Sequence, residues 1–249
     1  MSGHSKWSSI KHKKGAADAK RGQLFTKLIK EITAAAKTGG GSPEGNPRLR
    51  FVLSKAKEAN MPKDNIDKAI KRGTGELPGV IYEEVVYEGY APGGVAVIVE
   101  ALTDNKNRTS AEIRNIFSKS GGNLAGAGSV AWIFHKKGYI LVDKSKVGED
   151  RLMELVLGAG AEDLKSEEMY EVTTAAKDLE TVKQVLSQAG IAWQSADLTM
   201  LPTSTVPVKD EATARKILAF VETLEEHEDV SHAYANFDIP DAILAEVVK

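Results

Sequence analysis

The side chains that could hold a metal or act as a nucleophile are few and widely spaced. The chain of 249 residues contains five histidines and no cysteine, which excludes disulfides, thiolate ligands and a cysteine nucleophile. His4 and His12 lie eight residues apart with no companion carboxylate, a poor pattern for a metal site. His135, His227 and His232 are scattered, and we expect them to have packing or surface roles. We predict no metal site and no cofactor.

The acidic and glycine-rich segments do not form a recognisable catalytic motif. The sequence has no G-x-S-x-G, H-E-x-x-H or EF-hand pattern. Glu83-Glu84 and the run from Glu225 to Asp229 are expected to be solvated edges. The segment GGNLAGAGS (121–129) could cradle a phosphate with its N–H groups, but its spacing favours a loop that ends a helix. We predict a binding protein, and an enzyme working in a cleft between domains is the least favoured class.

The first 22 residues, MSGHSKWSSIKHKKGAADAKRG, form a basic arm with six Lys or Arg side chains and one acid. Such cations neutralise phosphates and release condensed counterions, the dominant source of affinity for nucleic acids. Trp7 could stack on a base, or together with Ile10 it could pin the arm to a domain. The arm lacks the apolar core of a secretory signal, and no stretch approaches the ~18 apolar residues of a membrane span. We expect a cytoplasmic protein without membrane contact.

Charge is distributed unevenly along the chain. Residues 1–72 contain 17 basic and 6 acidic side chains, a net charge of +11, whereas residues 73–249 contain 16 basic and 29 acidic side chains, a net charge of −13. Such asymmetry indicates a polyanionic partner for the basic part. The acidic part is expected to maintain the shape of the molecule or to bind a protein.

The basic part is predicted to form a three-helix domain behind the arm. The first helix begins near Asp18 and ends at Gly39–Gly41, the second begins at Pro47 after the N-cap Asn46, and the third ends at Gly73. The first helix is amphipathic, and four lysines lie on the face opposite its apolar side chains: Lys20, Lys27, Lys30 and Lys37. This face is either a solvated surface or a phosphate-binding one.

Residues after 80 alternate strands and helices. VAVIVEAL, a helix over 108–119 and SVAWIF form one β-α-β run, and LPTSTVPV, a helix over 210–226 and SHAYANF form another. Between them, residues 137–200 follow the order β-α-β-β-α-β of ferredoxin-like domains. We therefore predict an α+β fold of three domains, with one ferredoxin-like α/β domain inserted into another. The predicted boundaries are residues 1–77, residues 78–135 plus 201–249, and residues 136–200.

Five stretches of the sequence are distinctive: GHSKWSSIKHKKGAADAKRG, FTKLIKEITAAAKTGGGSPEGNPRLR, ANMPKDNIDKAIKRGTGE, YEGYAPGGVAVIVEALTDNKNRTSAEIR and FSKSGGNLAGAGSVAWIF. They closely resemble the YebC/PmpR family of bacterial proteins, described as probable transcriptional regulators. The resemblance covers essentially the whole chain and implies a helical N-terminal domain, two α/β domains, DNA binding and regulation of transcription in the cytoplasm. Related mitochondrial proteins activate translation and some bacterial members are linked to relief of ribosome stalling, so ribosomal RNA is the other polymer that the resemblance implies.

The charge pattern and the resemblance together predict a nucleic-acid-binding regulatory protein whose basic N-terminal domain contacts the phosphates of DNA. The alternative is a ribosome- or RNA-associated translation factor that activates translation or relieves stalling, because phosphate contacts do not identify the polymer. The predicted contact residues are Lys6, Trp7, Lys11, His12, Lys13, Lys14, Lys20, Arg21, Lys27, Lys30, Lys37, Arg48 and Arg50.

Overall fold

The computed structural model describes residues 18–247, except for the side chains of residues 18–20 and 241. The chain forms two compact units. Of the described residues, one unit contains three helices from the N-terminal part together with a four-stranded sheet, and the other, formed mainly by residues 132–205, contains a second four-stranded sheet. Within the described range, no helix is both long enough and apolar enough to cross a membrane.

From residue 18 onward, the helical domain contains three helices: α1 (Asp18–Gly39), α2 (Pro47–Glu58) and α3 (Lys63–Thr74). Asn46 is the N-cap of α2, as predicted, and its side chain links α2 to α1. Its Oδ1 accepts a hydrogen bond from the N–H of Leu49 at 3.0 Å, and its Nδ2 donates to the carbonyls of Ala35 and Gly40, both at 2.8 Å. One side chain therefore caps the start of α2 and the end of α1.

The helical domain is held by an apolar core and by one close contact between helices. The buried core residues are Leu28, Ile32, Ala35, Leu49, Val52, Ala56, Met61 and Ala69. At Gly73, α3 approaches α1 so closely that a Cβ would lie 2.4 Å from the carbonyl oxygen of Thr33. Glycine is therefore required at this crossing, because any side chain would push the two helices apart.

The remaining elements, in chain order, are β1 (Glu83–Ala91), β2 (Val95–Thr103), α4 (Lys106–Lys119), β3 (Asn123–Ala125), β4 (Phe134–Val142), α5 (Glu149–Gly158), β5 (Ala161–Ser166), β6 (Tyr170–Ala175), α6 (Leu179–Gln188), β7 (Ser195–Pro202), β8 (Val206–Pro207), α7 (Glu211–Glu226), β9 (Val230–Ala235), β10 (Phe237–Asp238) and α8 (Asp241–Val247). Short 3₁₀ turns lie at Pro92–Gly94 and Ala131–Ile133.

The first unit contains an antiparallel sheet of order β3-β1-β2-β9. The turn between β1 and β2 contains Gly93 at φ +80°, a value that favours glycine. Helices α4 and α7 cover one face of the sheet, where the rings of Phe117 and Phe220 meet edge to face at 4.8 Å. Strand β2 is almost entirely buried along its length and forms the centre of this unit.

The second unit has a sheet of order β5-β6-β4-β7, also antiparallel. Gly138 in β4 lets α6 approach the sheet, since a Cβ there would lie 2.8 Å from Cβ of Leu179. The element order β-α-β-β-α-β and this strand order are those of a ferredoxin-like domain. The predicted α+β class, with a three-helix domain followed by two α/β domains, is confirmed.

Two predicted strands differ in the structure. Residues 131–133 of SVAWIF form a 3₁₀ turn, so β4 begins only at Phe134, and β3 is the strand that pairs with β1. In LPTSTVPV, β7 continues to Pro202 and only Val206–Pro207 forms a further short strand. The N–H groups of Val130 and Ala131 bind the Glu88 carboxylate and are not available to a neighbouring strand. The predicted boundaries near residues 77, 135 and 200 stay predictions.

Candidate nucleic-acid interface

The lysines in the middle of α1 contact the acidic part of the same chain. Lys27 Nζ donates to the carbonyl of Glu225, and Lys30 Nζ donates to the carbonyl of Glu228 at 3.0 Å and to Oδ1 of Asp229 at 2.6 Å. Lys30 is only 9% exposed. The sequence predicted that Lys30 binds phosphate, but its ammonium is instead buried against a carboxylate of the same chain. A helical wheel identifies the polar face of α1 but not the segment covering it, which lies 199 residues further along the chain.

Asp229 is the centre of a buried polar network. Besides Lys30, its carboxylate accepts hydrogen bonds from Nη2 of Arg108 and Oγ1 of Thr109, both at 2.7 Å. Burial raises the pKa of Asp229, but the hydrogen bonds from Lys30, Arg108 and Thr109 outweigh burial and hold that pKa well below the usual range. Its side chain is 1% exposed, so the predicted solvated edge is corrected here. We call Lys30, Arg108, Thr109 and Asp229 the Asp229 junction.

A histidine and two carboxylates meet beside this junction. Glu112, His227 and Asp229 each place a potential ligand atom within 4.8 Å of the others. Nδ1 of His227 accepts from the N–H of Asp229 at 3.1 Å, so Nε2 carries the proton of the neutral ring and donates to Glu112 at 3.0 Å. A metal ion would have to displace Lys30 and Arg108 from Asp229. The trio is therefore assigned as part of a hydrogen-bonded network.

The two predicted arginines of α2 have different surroundings. Arg48 forms an ion pair with Glu84, and both side chains are about half exposed. Arg50 donates to the carbonyls of Pro43 and Glu44, both at 3.1 Å, and it remains exposed. Both arginines therefore lie at the surface, where a phosphate would compete with an intramolecular partner.

Two predicted contact residues lie at opposite ends of α1. The guanidinium of Arg21 lies 5.5 Å from the centre of the Phe25 ring, and Lys37 is exposed near the C-terminal end. The other predicted residues lie outside the described part of the chain, as does the side chain of Lys20. They are Lys6, Trp7, Lys11, His12, Lys13 and Lys14.

The outer face of α3 carries cations that were not among the predicted contact residues: Lys63, Lys68, Lys71 and Arg72. All four are exposed, and none of them makes an ion pair with a residue in the described range. They share one half of the helix circumference with Asp64 and Asp67, while Ala69 on the opposite half is buried. The spacing of the Lys and Arg residues in KDNIDKAIKRG would have been enough to predict this face from the sequence. We call the four cations the α3 basic face.

Comparison with known proteins identifies the family. Residues 5–76 match the domain described as the TACO1/YebC protein N-terminal domain, and residues 82–237 match the TACO1/YebC second and third domain. The chain belongs to the TACO1/YebC family. Its helical domain therefore corresponds to the family's N-terminal domain, and its two sheets lie in the second and third domains.

Relatives match the chain over its full length. Proteins of Syntrophobacter fumaroxidans and Desulfosudis oleivorans, each named a probable transcriptional regulatory protein, are 56% and 58% identical to it. These comparisons cover 99% and 98% of this chain and 100% and 99% of the relatives. The crystal structure of a conserved hypothetical protein from Aquifex aeolicus is 49% identical, with a TM-score of 0.80 over 90% of this chain and 93% of that one.

The glycine-rich loop of this TACO1/YebC chain holds an oxyanion that the chain itself supplies. Oε1 of Glu88 accepts from the N–H of Gly128 at 2.6 Å, and Oε2 accepts from the N–H groups of Val130 and Ala131, both at 2.8 Å. Burial raises the pKa of Glu88, but the three N–H donors outweigh it and the net pKa is lowered. Within residues 121–129, the N–H of Gly128 is thus occupied by Glu88, and those of Gly121, Gly122 and Ser129 donate to backbone carbonyls. These occupied donors argue against a phosphate site at residues 121–129.

Proposed function

We propose that this TACO1/YebC protein is a nucleic-acid-binding regulator, and specifically a DNA-binding regulator of transcription. It acts in the cytoplasm by binding and not by catalysis, and it contacts phosphates through the α3 basic face together with the N-terminal arm. The names of the full-length relatives support a regulatory role. The observation that carries the nucleic-acid part is the set of four exposed cations on α3 that have no carboxylate partner in the described range.

The α3 basic face is better suited to phosphate binding than the middle of α1. Before Lys30 could reach a phosphate, it would have to leave the carbonyl of Glu228 and the carboxylate of Asp229. The cations of α3 exchange water and small counterions for phosphate, which is the exchange that drives nucleic-acid binding. Lys71 and Arg72 also lie in the last turn of α3, where positive charge stabilises the helix without engaging the head groups.

Neutralising the α3 basic face is expected to weaken binding and to reduce its salt dependence. In the triple variant Lys68→Gln, Lys71→Gln and Arg72→Gln, the slope of log K against log salt should fall by about 0.9 for each duplex phosphate that the protein no longer neutralises. Fluorescence anisotropy with a labelled DNA duplex, repeated over a series of KCl concentrations, measures this slope.

A second triple variant controls for net charge. Lys119, Lys209 and Lys216 are exposed cations outside the helical domain, and changing them to glutamine removes the same charge. The proposal expects this control to keep nearly the parental slope. Equal reductions of the slope in the two triple variants would contradict a site on α3 and would attribute binding to overall charge.

The identity of the polymer requires its own comparison, because phosphate contacts alone do not distinguish DNA from RNA. Duplex DNA, double-stranded ribosomal RNA fragments and intact ribosomes are titrated at one salt concentration. A DNA-binding regulator of transcription is expected to prefer DNA. Stronger binding to ribosomes or to ribosomal RNA would contradict that assignment and would support the translation factor.

A further inference from the structure

The Asp229 junction connects the helical domain to the sheet within the same compact unit. Lys30 comes from α1, Arg108 and Thr109 come from the first turns of α4, and Asp229 lies between α7 and β9. The Lys30 ammonium also lies 5.7 Å from the centre of the Tyr82 ring, immediately before β1. Three segments of the chain therefore meet at one buried carboxylate, and a fourth lies beside it.

The donors at this carboxylate are directed at specific oxygens. Lys30 donates to Oδ1 at 2.6 Å, while Arg108 and Thr109 donate to Oδ2 at 2.7 Å. A buried ion pair adds less net stability than its Coulomb attraction suggests, because both charges lose water. Leaving one partner buried and unpaired is costly, however. The network therefore disfavours every arrangement of the helical domain that moves Lys30 away from Oδ1.

Two other polar contacts between the helical domain and the sheet, both among the described residues, are weaker. The ion pair of Arg48 and Glu84 is exposed, and exposed pairs contribute little. Nε2 of His232 lies 3.9 Å from the Glu31 carboxylate, which is beyond hydrogen-bond distance. Of these contacts, only the Asp229 junction combines burial, opposite charge and short hydrogen bonds.

We propose that Asp229 is a positioning residue that fixes the orientation of the helical domain, and with it the α3 basic face, relative to the sheet of the same unit. Lys30 takes part through its contact with Asp229 and does not bind phosphate. The inference rests on the proposed function only in its consequence for DNA binding, because the orientation itself can be measured without nucleic acid.

Distances between spin labels test the orientation directly. The chain contains no cysteine, so cysteines introduced at the exposed positions Glu58 of α2 and Asn115 of α4 are the only labelling sites. Double electron–electron resonance on the full chain should give one narrow distance distribution for the parent. Asp229→Asn and Lys30→Met should each broaden that distribution, because each removes the ion pair between α1 and the turn that contains Asp229.

Lys30→Met is the milder of the two changes, since Asp229 then keeps its bonds from Arg108 and Thr109. Arg48→Met is the matched control, because it removes an exposed ion pair between the helical domain and the sheet. This variant should leave the distribution narrow. Near-UV circular dichroism at the same temperature checks that each variant is folded. Parental distributions in both junction variants, or complete unfolding of both, would overturn a positioning role.

DNA binding provides a second readout. Lys30→Met should weaken binding, while the salt slope should change by less than the value of about 0.9 that one duplex phosphate contributes. A slope reduced by that amount, with an unchanged distance distribution, would make Lys30 a phosphate contact and would overturn the inference. Absence of DNA binding by the parent would contradict the proposed function and leave the distance result to decide the role of Asp229.

Discussion

Glu88 and Asp229 are buried carboxylates, and each accepts hydrogen bonds from donors that could otherwise bind an external anion. Glu88 accepts from N–H groups at and just after the end of the glycine-rich loop, and Asp229 holds the head groups of Lys30 and Arg108. The sequence shows that such donors exist, but it does not show which carboxylate reaches them, because Glu88 precedes Gly128 by 40 residues. The sequence therefore predicted which donor groups are present, but not which carboxylate each of them binds.

Glu88→Gln is expected to destabilise the protein. The amide nitrogen of glutamine would face at least one buried N–H donor, and an unsatisfied buried donor costs about 1–3 kcal/mol. Urea denaturation followed by circular dichroism measures the free energy of unfolding. Glu154→Gln, at an exposed position of α5, is the control and should be close to neutral. Equal stability of Glu88→Gln and the parent would contradict the role assigned to this carboxylate.

The contribution of Glu88 should also depend on pH. Because the folded-state pKa of Glu88 is lowered, its stabilising effect is fully present above the unfolded-state pKa and is lost as the pH falls through the folded-state pKa. The stability difference between the parent and Glu88→Gln should therefore shrink on acidification. Urea denaturation series at neutral and acidic pH measure this difference, and a gap that widens at low pH would contradict the sign.

At the scale of secondary structure, local signals predicted where elements begin and end more reliably than what they contact. Asn46 and Pro47 marked the start of α2, and the structure confirms the cap. The amphipathic pattern of α1 predicted the burial of Leu28 and Ile32, but Leu24 on the same side is exposed, and Lys30 on the polar side is covered by the turn that contains Asp229. Such coverage depends on tertiary contacts between distant segments, which periodicity within one helix does not report.

The close crossing of α1 and α3 predicts a strong effect at Gly73. In Gly73→Ala, the new Cβ would lie 2.4 Å from the Thr33 carbonyl oxygen, and such overpacking costs about 1–3 kcal/mol. Alanine gains up to about 1 kcal/mol from helix propensity, so a net loss of stability is expected. Thermal unfolding measures this loss.

Gly158→Ala provides the matched control for this crossing. Gly158 is also helical, but a Cβ there meets nothing within 4 Å. This variant should retain or slightly increase stability. If Gly73→Ala were as stable as Gly158→Ala, the close contact between α1 and α3 would be contradicted.

At the scale of the whole molecule, the positive charge of the N-terminal part divides between two roles. Part of it, at Lys27 and Lys30, contacts the acidic part of the same chain. The remainder, on the α3 basic face and in the N-terminal arm, is proposed to contact a nucleic acid. The net charge of the N-terminal part predicted a polyanionic partner. It could not show which cations bind within the chain and which face a nucleic acid, because that depends on which of them the fold buries.

Ultraviolet crosslinking of the full-length protein in cells tests DNA binding by the N-terminal part most directly. Mass spectrometry of the crosslinked peptides locates the contact surface, and sequencing of the attached nucleic acid identifies the polymer. The proposed function predicts DNA attached to peptides from the N-terminal arm and from residues 63–72. Crosslinks confined to the two sheet-containing parts, or attached RNA without DNA, would contradict it.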